Sequence, residues 1–536
     1  MTELLTSAQM RAIEQAAFDS GRATGAELME RAGQGVVEAI LAHFPELEQG
    51  ARRALVLCGP GNNGGDGFVI ARLLQARGWV AECFLYGDAA RLPPDARANH
   101  DLWAATGRIV PFADWRFALR WDGPVLGDVP DLIIDALFGT GLTRPLAPEL
   151  DAALRALEGR FPEGSLRRVA VDAPSGLCMD SGRPLGAPAG LPCRQDLTVS
   201  FHSLKRGHVL ASGPEFCGQV CVADIGLDLP ALRAARGDLR AKLGDMAMLA
   251  RPDIAALRKG GEEYHNAHKY SYGHALVLSG GPGHSGAARL AARAALRVGA
   301  GLVTLAAPAP AMGECAAHLT SVMLARCNGA SDLGALLEDE RLNALCLGPA
   351  LGVSAATRDM VVTALGSRRC CVLDADALTS FASQPAELFA HLHSRVVLTP
   401  HAGEFARLFP DIHARLHAPA EQGPAFSMID AAQEAAARAG CVVLLKGQAT
   451  VIAEPGGRTI VHAALHERAA PWLATAGAGD VLAGLITGLM ARGMWPAGAA
   501  ASAAWLHVEA ARAFGPGLIA EDLPEALPAV FRELGV

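Results

Sequence analysis

Short apolar runs closed by glycine or acidic turns alternate along this chain with stretches whose apolar residues recur at helical spacing. That alternation predicts α/β layers around mainly parallel sheets. A first series holds "ALVLC", "AECFLYG", "DLIIDALFG", "RRVAVDAPSG" and "LTVSF", and closes through "GQVCVADIG". After Gly226 the pattern changes. Residues 227–270 are rich in charge, Ala and Leu, with little β-branched content, which predicts a connector containing a helix. The second series runs through "HALVLSGG", "GLVTLAAP", "ALCLGPALG", "CCVLDADAL", "RVVLTPHAGE" and "CVVLLKGQATVIAE", and ends in "LATAGAGDVLAGLITGLMARG". Two α/β domains are expected, with no fixed-period repeat relating them. The N-terminal "MTELLTSAQMRAIEQAAFDSG" reads as an amphipathic helix; it lacks the basic region and apolar block of a signal peptide. The segment "GMWPAGAAASAAWLHV", 493–508, is too short and too rich in Ala and Gly to span a bilayer, and reads as a core helix.

Composition narrows the class. At 536 residues the chain exceeds one ordinary core. With 51% hydrophobic and 19% charged residues it is globular rather than disordered. The net charge of −8 and the lack of a Lys/Arg-rich run give nucleic-acid binding no electrostatic support. The 12 cysteines form no C-x-x-C pair and several sit inside apolar strands, which predicts reduced thiols and a cytoplasmic protein. Cys217 and Cys221 in "CGQVC" have no second pair to complete a zinc site.

"GPGNNGGDG", 59–67, matches G-x-G-x-x-G between an apolar run and a helical pattern, the context a dinucleotide cradle requires. Asp66 argues against a plain phosphate cradle, because a carboxylate at the helix mouth competes with phosphate for the same N–H groups. The alternative is a tight strand-to-helix turn without a ligand. Two more strand ends carry polar residues: "DLIIDALFGTGLTRP", with Asp135, Gly139, Thr140, Gly141 and Arg144, and "VAVDAPSG", with Asp172 and Ser175. Any one acidic residue there could merely cap a helix. Three turns converging beyond the carboxyl ends of a doubly wound sheet point to a ligand site. Asn63, Asp135 and Ser175 supply hard oxygen ligands suited to a cation, leaving Asp172 free as a general base.

These stretches, with "LMERAG" at 28–33 and "FHSLKRGH" at 201–208, resemble the YjeF N-terminal family of epimerases acting on hydrated NAD(P)H. The resemblance implies a Rossmann-like domain. It implies substrate contacts from Asn62, Asn63, Gly64, Gly65, Asp66, Gly139, Thr140, Gly141, Leu142, Thr143, Arg144, Pro145 and Asp172. It further implies a potassium ion on Asn63, Asp135 and Ser175, and Asp172 as the acid/base that interconverts the R and S forms at ring carbon 6.

In the second series, "ATAGAGDVLAG", 474–484, sets small residues and Asp480 at the start of a helical run. Backbone N–H groups of Gly477–Gly479 can form an anion hole there, and Asp480 can take a proton from a hydroxyl attacking a phosphoryl group. "LLKGQAT", 444–450, offers Lys446 and backbone groups to a nucleotide, and "TPHAGE" brings His401 and Glu404 to another strand end. His401 could equally be a satisfied structural histidine. "SGGPGHSGAARLAARAALRVGAG", 279–301, is a glycine turn into a small-residue helix, much of which packing alone explains.

With "HK" at 268–269, "LGPALG" and "DADAL", this half resembles the ADP/ATP-dependent dehydratases of the same hydrated nucleotide, which use a ribokinase-like fold. The resemblance implies that Ala287, Gly352, His401 and Asp480 touch the hydrate. It also implies that Lys446, Gly447, Gln448, Ala449, Thr450 and Gly479 hold ADP or ATP, with Mg2+ on its phosphates. One departure is Tyr270 where the family usually has Gly after the Lys. Together these readings predict two three-layer αβα domains: an epimerase domain at 1–228, a connector at 229–264 and a dehydratase domain at 265–536. The partners expected are the small molecules NADHX and NADPHX, with no nucleic acid, no membrane, and a homo-oligomeric state. The competing reading is a ribokinase-like kinase for a vitamin precursor fused to a non-catalytic binding module. The two sets of site residues, 62–175 and 287–480, do not overlap, so each half is expected to carry its own activity.

Overall fold

The computed structural model describes residues 2–50, 52–114, 130–160, 166–186, 193–235, 238–260 and 267–536. The chain divides into two compact units, Thr2–Met246 with Ala418–Ser427, and Ala247–His417 with Met428–Val536. Both are α/β, as the alternating pattern predicts. The stretch expected as a connector contributes helices Leu229–Ala235 and Leu239–Leu243 to the first unit and begins the second at Ala247. Residues 236–237 and 261–264 of it lie outside the described residues.

The first unit is built on strands β1 (Arg53–Cys58), β2 (Val80–Leu85), β3 (Arg108–Pro111), β4 (Leu132–Ala136), β5 (Arg167–Val171), β6 (Leu197–Phe201) and β7 (Gln219–Ala223). Their order is β7-β6-β5-β4-β1-β2-β3, all parallel. Helices α1 (Ser7–Asp19), α2 (Gly25–His43) and α3 (Asn62–Gln75) belong to the same unit. Strands buried on both faces are mainly apolar, as in β1, β4 and β6, where Asp135 and Ser200 are buried polar exceptions. The N-terminal helix forms as its pattern predicts. Thr6 and Gln9 close a reciprocal capping box at its start, and Met10, Ile13, Ala16 and Ala17 are buried.

Ala418–Ser427, remote in sequence, counts with this first unit. Gly423 N–H donates to the Thr143 carbonyl at 2.8 Å and Gly186 N–H to that of Ala420 at 3.0 Å. Cys178, Leu185, Ala420 and Ala425 form a small apolar cluster with Leu142. The first unit thus includes a segment from beyond the boundary expected at 228–265.

The second unit holds β8 (Ala247–Leu249), β9 (His274–Leu278), β10 (Leu302–Ala307), β11 (Met323–Arg326), β12 (Leu342–Leu347), β13 (Cys370–Leu373), β14 (Val396–Leu398), β15 (Val442–Leu445), β16 (Ala449–Ala453) and β17 (Thr459–Ala463). They run in the order β8-β17-β16-β15-β14-β13-β12-β9-β10-β11. Pairing is parallel except that β16 runs antiparallel to both β15 and β17. The run "CVVLLKGQATVIAE" therefore folds as a hairpin with "KGQ" at its turn. Helices α4 (Gly286–Arg297), α5 (Ala402–Leu408), α6 (Ala478–Ala491) and α7 (Pro496–Phe514) matter below. The small residues of α4 and α6 let the two helices touch backbone to backbone: a Cβ on Gly484 would lie 2.1 Å from the Ala291 carbonyl oxygen. The segment read as a core helix is α7, with Pro496 at its first turn and most of its alanines buried. Among the described residues no helix is long and apolar enough to cross a membrane.

Candidate active sites

In the first unit the glycine turn opens α3 directly: Gly61 is the residue before the helix and Asn62 its first residue. Gly59, Gly64, Gly65 and Gly67 serve close packing. A Cβ on Gly64 would sit 2.0 Å from the Gly59 carbonyl oxygen, so no side chain fits there. Asp66 is buried, and burial first, then Asp172 and Glu14, pushes its carboxyl well above the usual range.

Near the end of β4, Asp135 Oδ1 accepts from Ser175 Oγ at 2.7 Å and its Oδ2 from Ser175 N at 2.8 Å. Burial raises its carboxyl above the usual value against these hydrogen bonds. Asn63 approaches the same turn, with Oδ1 3.0 Å and Asp172 Oδ2 3.4 Å from where a Cβ on Gly139 would stand. The Asn63 Nδ2 is buried without a partner. Thus the expected trio of Asn63, Asp135 and Ser175 lines one turn. Asn62 stands at the mouth of α3, and Leu142, Thr143, Arg144 and Pro145 form a largely exposed rim beyond Gly141.

Asp172 follows β5 with φ at 66°, a left-handed conformation that costs a non-glycine residue about 1–3 kcal/mol. Its Oδ1 accepts from Lys205 Nζ at 2.9 Å, and its Oδ2 from Thr140 N at 3.3 Å. Lys205 is fully buried and also donates to Ser200 Oγ at 2.8 Å and the Phe201 carbonyl at 3.0 Å, so all three ammonium protons are used. Burial pushes Asp172 upward, but Lys205 overrides it and holds the carboxyl below its ordinary value. His208, pushed down to about 4 by burial and then by Lys205, is neutral at pH 7. Its Nδ1 accepts from Lys205 N at 2.9 Å, which leaves Nε2–H to donate to the Asp172 carbonyl at 3.1 Å. Lys205, Ser200 and His208 received no role from the sequence. The motif "FHSLKRGH" was visible, but Lys205 meets Asp172 only through the pairing of β5 with β6.

In the second unit Gly477 opens α6 with φ at 87°, a conformation that favours glycine. Asp480 lies in the first turn. Burial first, then Asp374 and Asp376 against the pull of Lys446, raises its carboxyl to about 6. Asp374, at the end of β13, accepts from Lys446 Nζ at 2.8 Å and from Thr399 Oγ1 at 2.7 Å. A Cβ on Gly479 would stand 3.7 Å from Lys446 Nζ, so that ammonium reaches the mouth of α6. Gly352, with φ at 82°, donates its N–H to Asp376 Oδ2 at 2.8 Å. Ala287 is the second residue of α4.

His401 caps α5. Its Nδ1 accepts from Gly403 N at 2.9 Å, and Glu404 Oε2 accepts from His401 N at 2.9 Å. The outer part of the ring stays exposed. Tyr270, the departure noted above, accepts from Arg341 Nη1 at 3.1 Å, and that guanidinium lies 5.1 Å from its ring centre.

Gly447, Gln448 and Thr450 line a cavity of about 500 Å3, together with His462, Leu473 and His507. Ala449 is buried in β16, and Lys446, Ala449 and Gly479 are not among the lining residues. His507, hydrogen-bonded to the Ala478 backbone, keeps a buried Nε2 without a partner. Burial lowers it to about 4, and lowers His462 to about 3. Sequence reasoning passed over both, since a single histidine in an apolar run carries no signal of its own.

Two family models match this chain. Residues 25–207 match the YjeF-related protein N-terminus and residues 275–527 match NAD(P)H-hydrate dehydratase. The chain is 37% identical over 548 aligned positions to the bifunctional NAD(P)H-hydrate repair enzyme Nnr of Moorella thermoacetica, covering 99% of this chain and 97% of that one. The chain belongs to the bifunctional NAD(P)H-hydrate repair enzyme family. Its first part is 47% identical to the NAD(P)H-hydrate epimerase of Roseobacter litoralis, over 42% of this chain and 100% of that protein. Among solved structures, the ADP/ATP-dependent NAD(P)H-hydrate dehydratase of Bacillus subtilis, co-crystallised with ATP/Mg2+, is 26% identical. It covers 52% of this chain and 96% of its own, with a TM-score of 0.42. The first family match spans Asn62 to Lys205 but begins after α1.

Proposed function

We propose that this chain repairs hydrated NADH and NADPH in two steps. Its first unit epimerises the R and S hydrates, and its second dehydrates the S form at the expense of ADP or ATP. The observation that carries the reading is that each unit holds one tuned carboxylate: Asp172, held ionised by Lys205, and Asp480, poised near 6 beside Lys446 at a helix mouth. The activities are assigned to the domains at 1–228 and 265–536.

In the epimerase site, Asn62 to Asp66 and the turn 139–145 would bind the dinucleotide around Asp172, which accepts and returns a proton. Asn63, Asp135 and Ser175 would hold potassium; Asn63 Oδ1 at the Gly139 turn and the Asp135 and Ser175 side-chain oxygens are the hard donors that suit such an ion. Bound there, the ion supplies positive charge at the substrate turn.

In the dehydratase site, Ala287, Gly352 and His401 would position the hydrate. Asp480 removes the proton of its C6 hydroxyl as that oxygen attacks the terminal phosphoryl group. Phosphate then leaves with the C–O electron pair, and loss of a C5 proton restores the dihydronicotinamide. Gly447 to Thr450, Lys446 and the backbone at Gly479 would hold the nucleotide. Magnesium would arrive on its phosphates, the described residues carrying no group of three His, Cys, Asp or Glu side chains set to bind a metal.

The test follows recovery of dihydronicotinamide absorbance from mixed R and S NADHX. Parallel reactions contain ADP with Mg2+, ATP with Mg2+, or no nucleotide, in potassium and in tetramethylammonium salts. Nucleotide-dependent recovery of both epimers in potassium, and of the S form alone without it, is the expected result. Phosphorylation of pyridoxine-like alcohols with no recovery from the hydrate would establish the vitamin-kinase alternative instead.

A further inference from the structure

Helix α1 lies over the substrate turn of the first unit. Ser7 Oγ donates to the Thr140 carbonyl at 2.6 Å, while Ser7 N and Oγ donate to Asp180 Oδ1 at 2.6 and 2.9 Å. One turn on, Arg11 Nη1 stands 3.6 Å from where a Cβ on Gly141 would be. The residues entering the helix are tied beside Lys205, since Leu5 N donates to the Leu204 carbonyl at 2.9 Å and Arg206 N to that of Leu5 at 3.1 Å. Ser7, Arg11 and Glu14 are spaced by four and three residues, so they share one helical face. That face is pinned to Thr140 and Gly141 at its first two positions, and its third is Glu14.

Glu14 interacts electrostatically with four charged groups: Arg11 on its own helix, Asp66 on α3, Asp172 after β5 and Lys205 after β6. We infer that Glu14 is a second catalytic group of the epimerase, the proton donor that works opposite Asp172. This rests on reading the first unit as the epimerase.

The two carboxyls are split by their surroundings. Burial first, then Asp172, lifts Glu14 to about 7, while Lys205 holds Asp172 below its ordinary range. A pair separated in this way can be acid and base at the same pH. The protonated Glu14 gives its proton to the C6 hydroxyl, and the C6–O bond breaks with its electron pair leaving as water. The N1 lone pair forms the N1=C6 iminium. Water then adds to the opposite face, and its proton passes to Asp172. Exchange of one proton with solvent from Asp172 and back to Glu14 resets the pair, so the reaction is balanced without a further reactant.

The experiment measures R-to-S conversion by the full-length protein, with excess nucleotide draining the S form, as a function of pH. The wild type should give a bell. An ionised Asp172 sets its acid limb, and loss of the Glu14 proton sets an alkaline limb near 7. Glu14→Gln should lower kcat by about 10²–10⁴-fold with little change in KM and abolish the alkaline limb. Glu14→Asp should keep the limb with part of the rate. Recovery from pure S hydrate and the melting temperature should match the wild type, which separates a catalytic loss from a folding defect. An E14Q protein with wild-type kcat, or with its loss confined to KM and the alkaline limb intact, overturns the inference. A wild type that does not convert the R hydrate at all would instead refute the epimerase reading beneath it.

Discussion

Replacing Lys205 by Met tests the centre of the first site. The substitution keeps most of the buried stem and removes the ammonium, with its bonds of 2.9 Å to Asp172, 2.8 Å to Ser200 and 3.0 Å to Phe201. Lys205 is fully buried and Asp172 nearly so, hence solvent cannot replace the lost partner. Breaking a buried pair from one side costs about 3–5 kcal/mol, a large share of the 5–15 kcal/mol that usually holds a domain together. The sign of the pH dependence should also reverse. In the wild type Asp172 is held below its reference value of 3.8, so the pair stabilises the fold above that range and the contribution fades as pH falls through the lowered pKa. Without the ammonium, burial acts without its main opponent and the folded pKa moves above the unfolded one. The variant is then penalised at neutral pH and relieved as pH falls through that raised value. Urea denaturation of wild type and K205M at pH 5 and pH 7.5 should show the gap between them narrowing at the lower pH. R-epimer conversion at pH 7.5 should fall by about 10²-fold or more, since losing Lys205 shifts Asp172 toward its protonated form, which accepts nothing. A double variant with Asp172→Asn should recover much of the stability but none of the activity. Equal stability of K205M and wild type at pH 7.5, or unimpaired R-epimer conversion, would refute the reasoning.

Other consequences are as specific. Asp480→Asn should lower dehydration of the S hydrate about 10²–10⁴-fold and leave epimerisation intact; the wild-type rate should rise with pH through about 6, the value to which burial lifts Asp480, and the variant should lose that limb. Gly484→Ala adds about 1 kcal/mol of helix propensity but sets a Cβ 2.1 Å from the Ala291 carbonyl oxygen. The clash should win by about 1–3 kcal/mol, read as a lowered melting temperature of the second unit. A fragment ending at Met246 lacks Ala418–Ser427 and with it the Gly423 bond to Thr143; it should melt lower than the first unit of the full chain and bind the R hydrate with a higher KM, and equality on both counts would show the segment to be dispensable.

The alternation of apolar runs and helical stretches was sufficient by itself to specify two α/β units, because strands covered on both faces are mainly apolar while turns and helix starts favour glycine, asparagine and aspartate. The same local logic exposed Asn63, Asp135, Asp172, Ser175 and Asp480, which all stand at strand ends or helix mouths. Edge strands such as Arg108–Pro111 and Met323–Arg326 escaped, being short and only partly buried, and so lacking a clear apolar signature. The partners that set the chemistry also lay beyond local reach. Lys205 meets Asp172 across 33 residues and Lys446 meets Asp374 across 72, while Glu14 enters from a helix that precedes every strand of its sheet. A residue type at a strand end follows from short-range sterics and hydrogen bonding, which a sequence displays. Whether that residue is ionised at neutral pH depends on burial and on charges brought close by strand order and helix docking, and only the tertiary structure decides those.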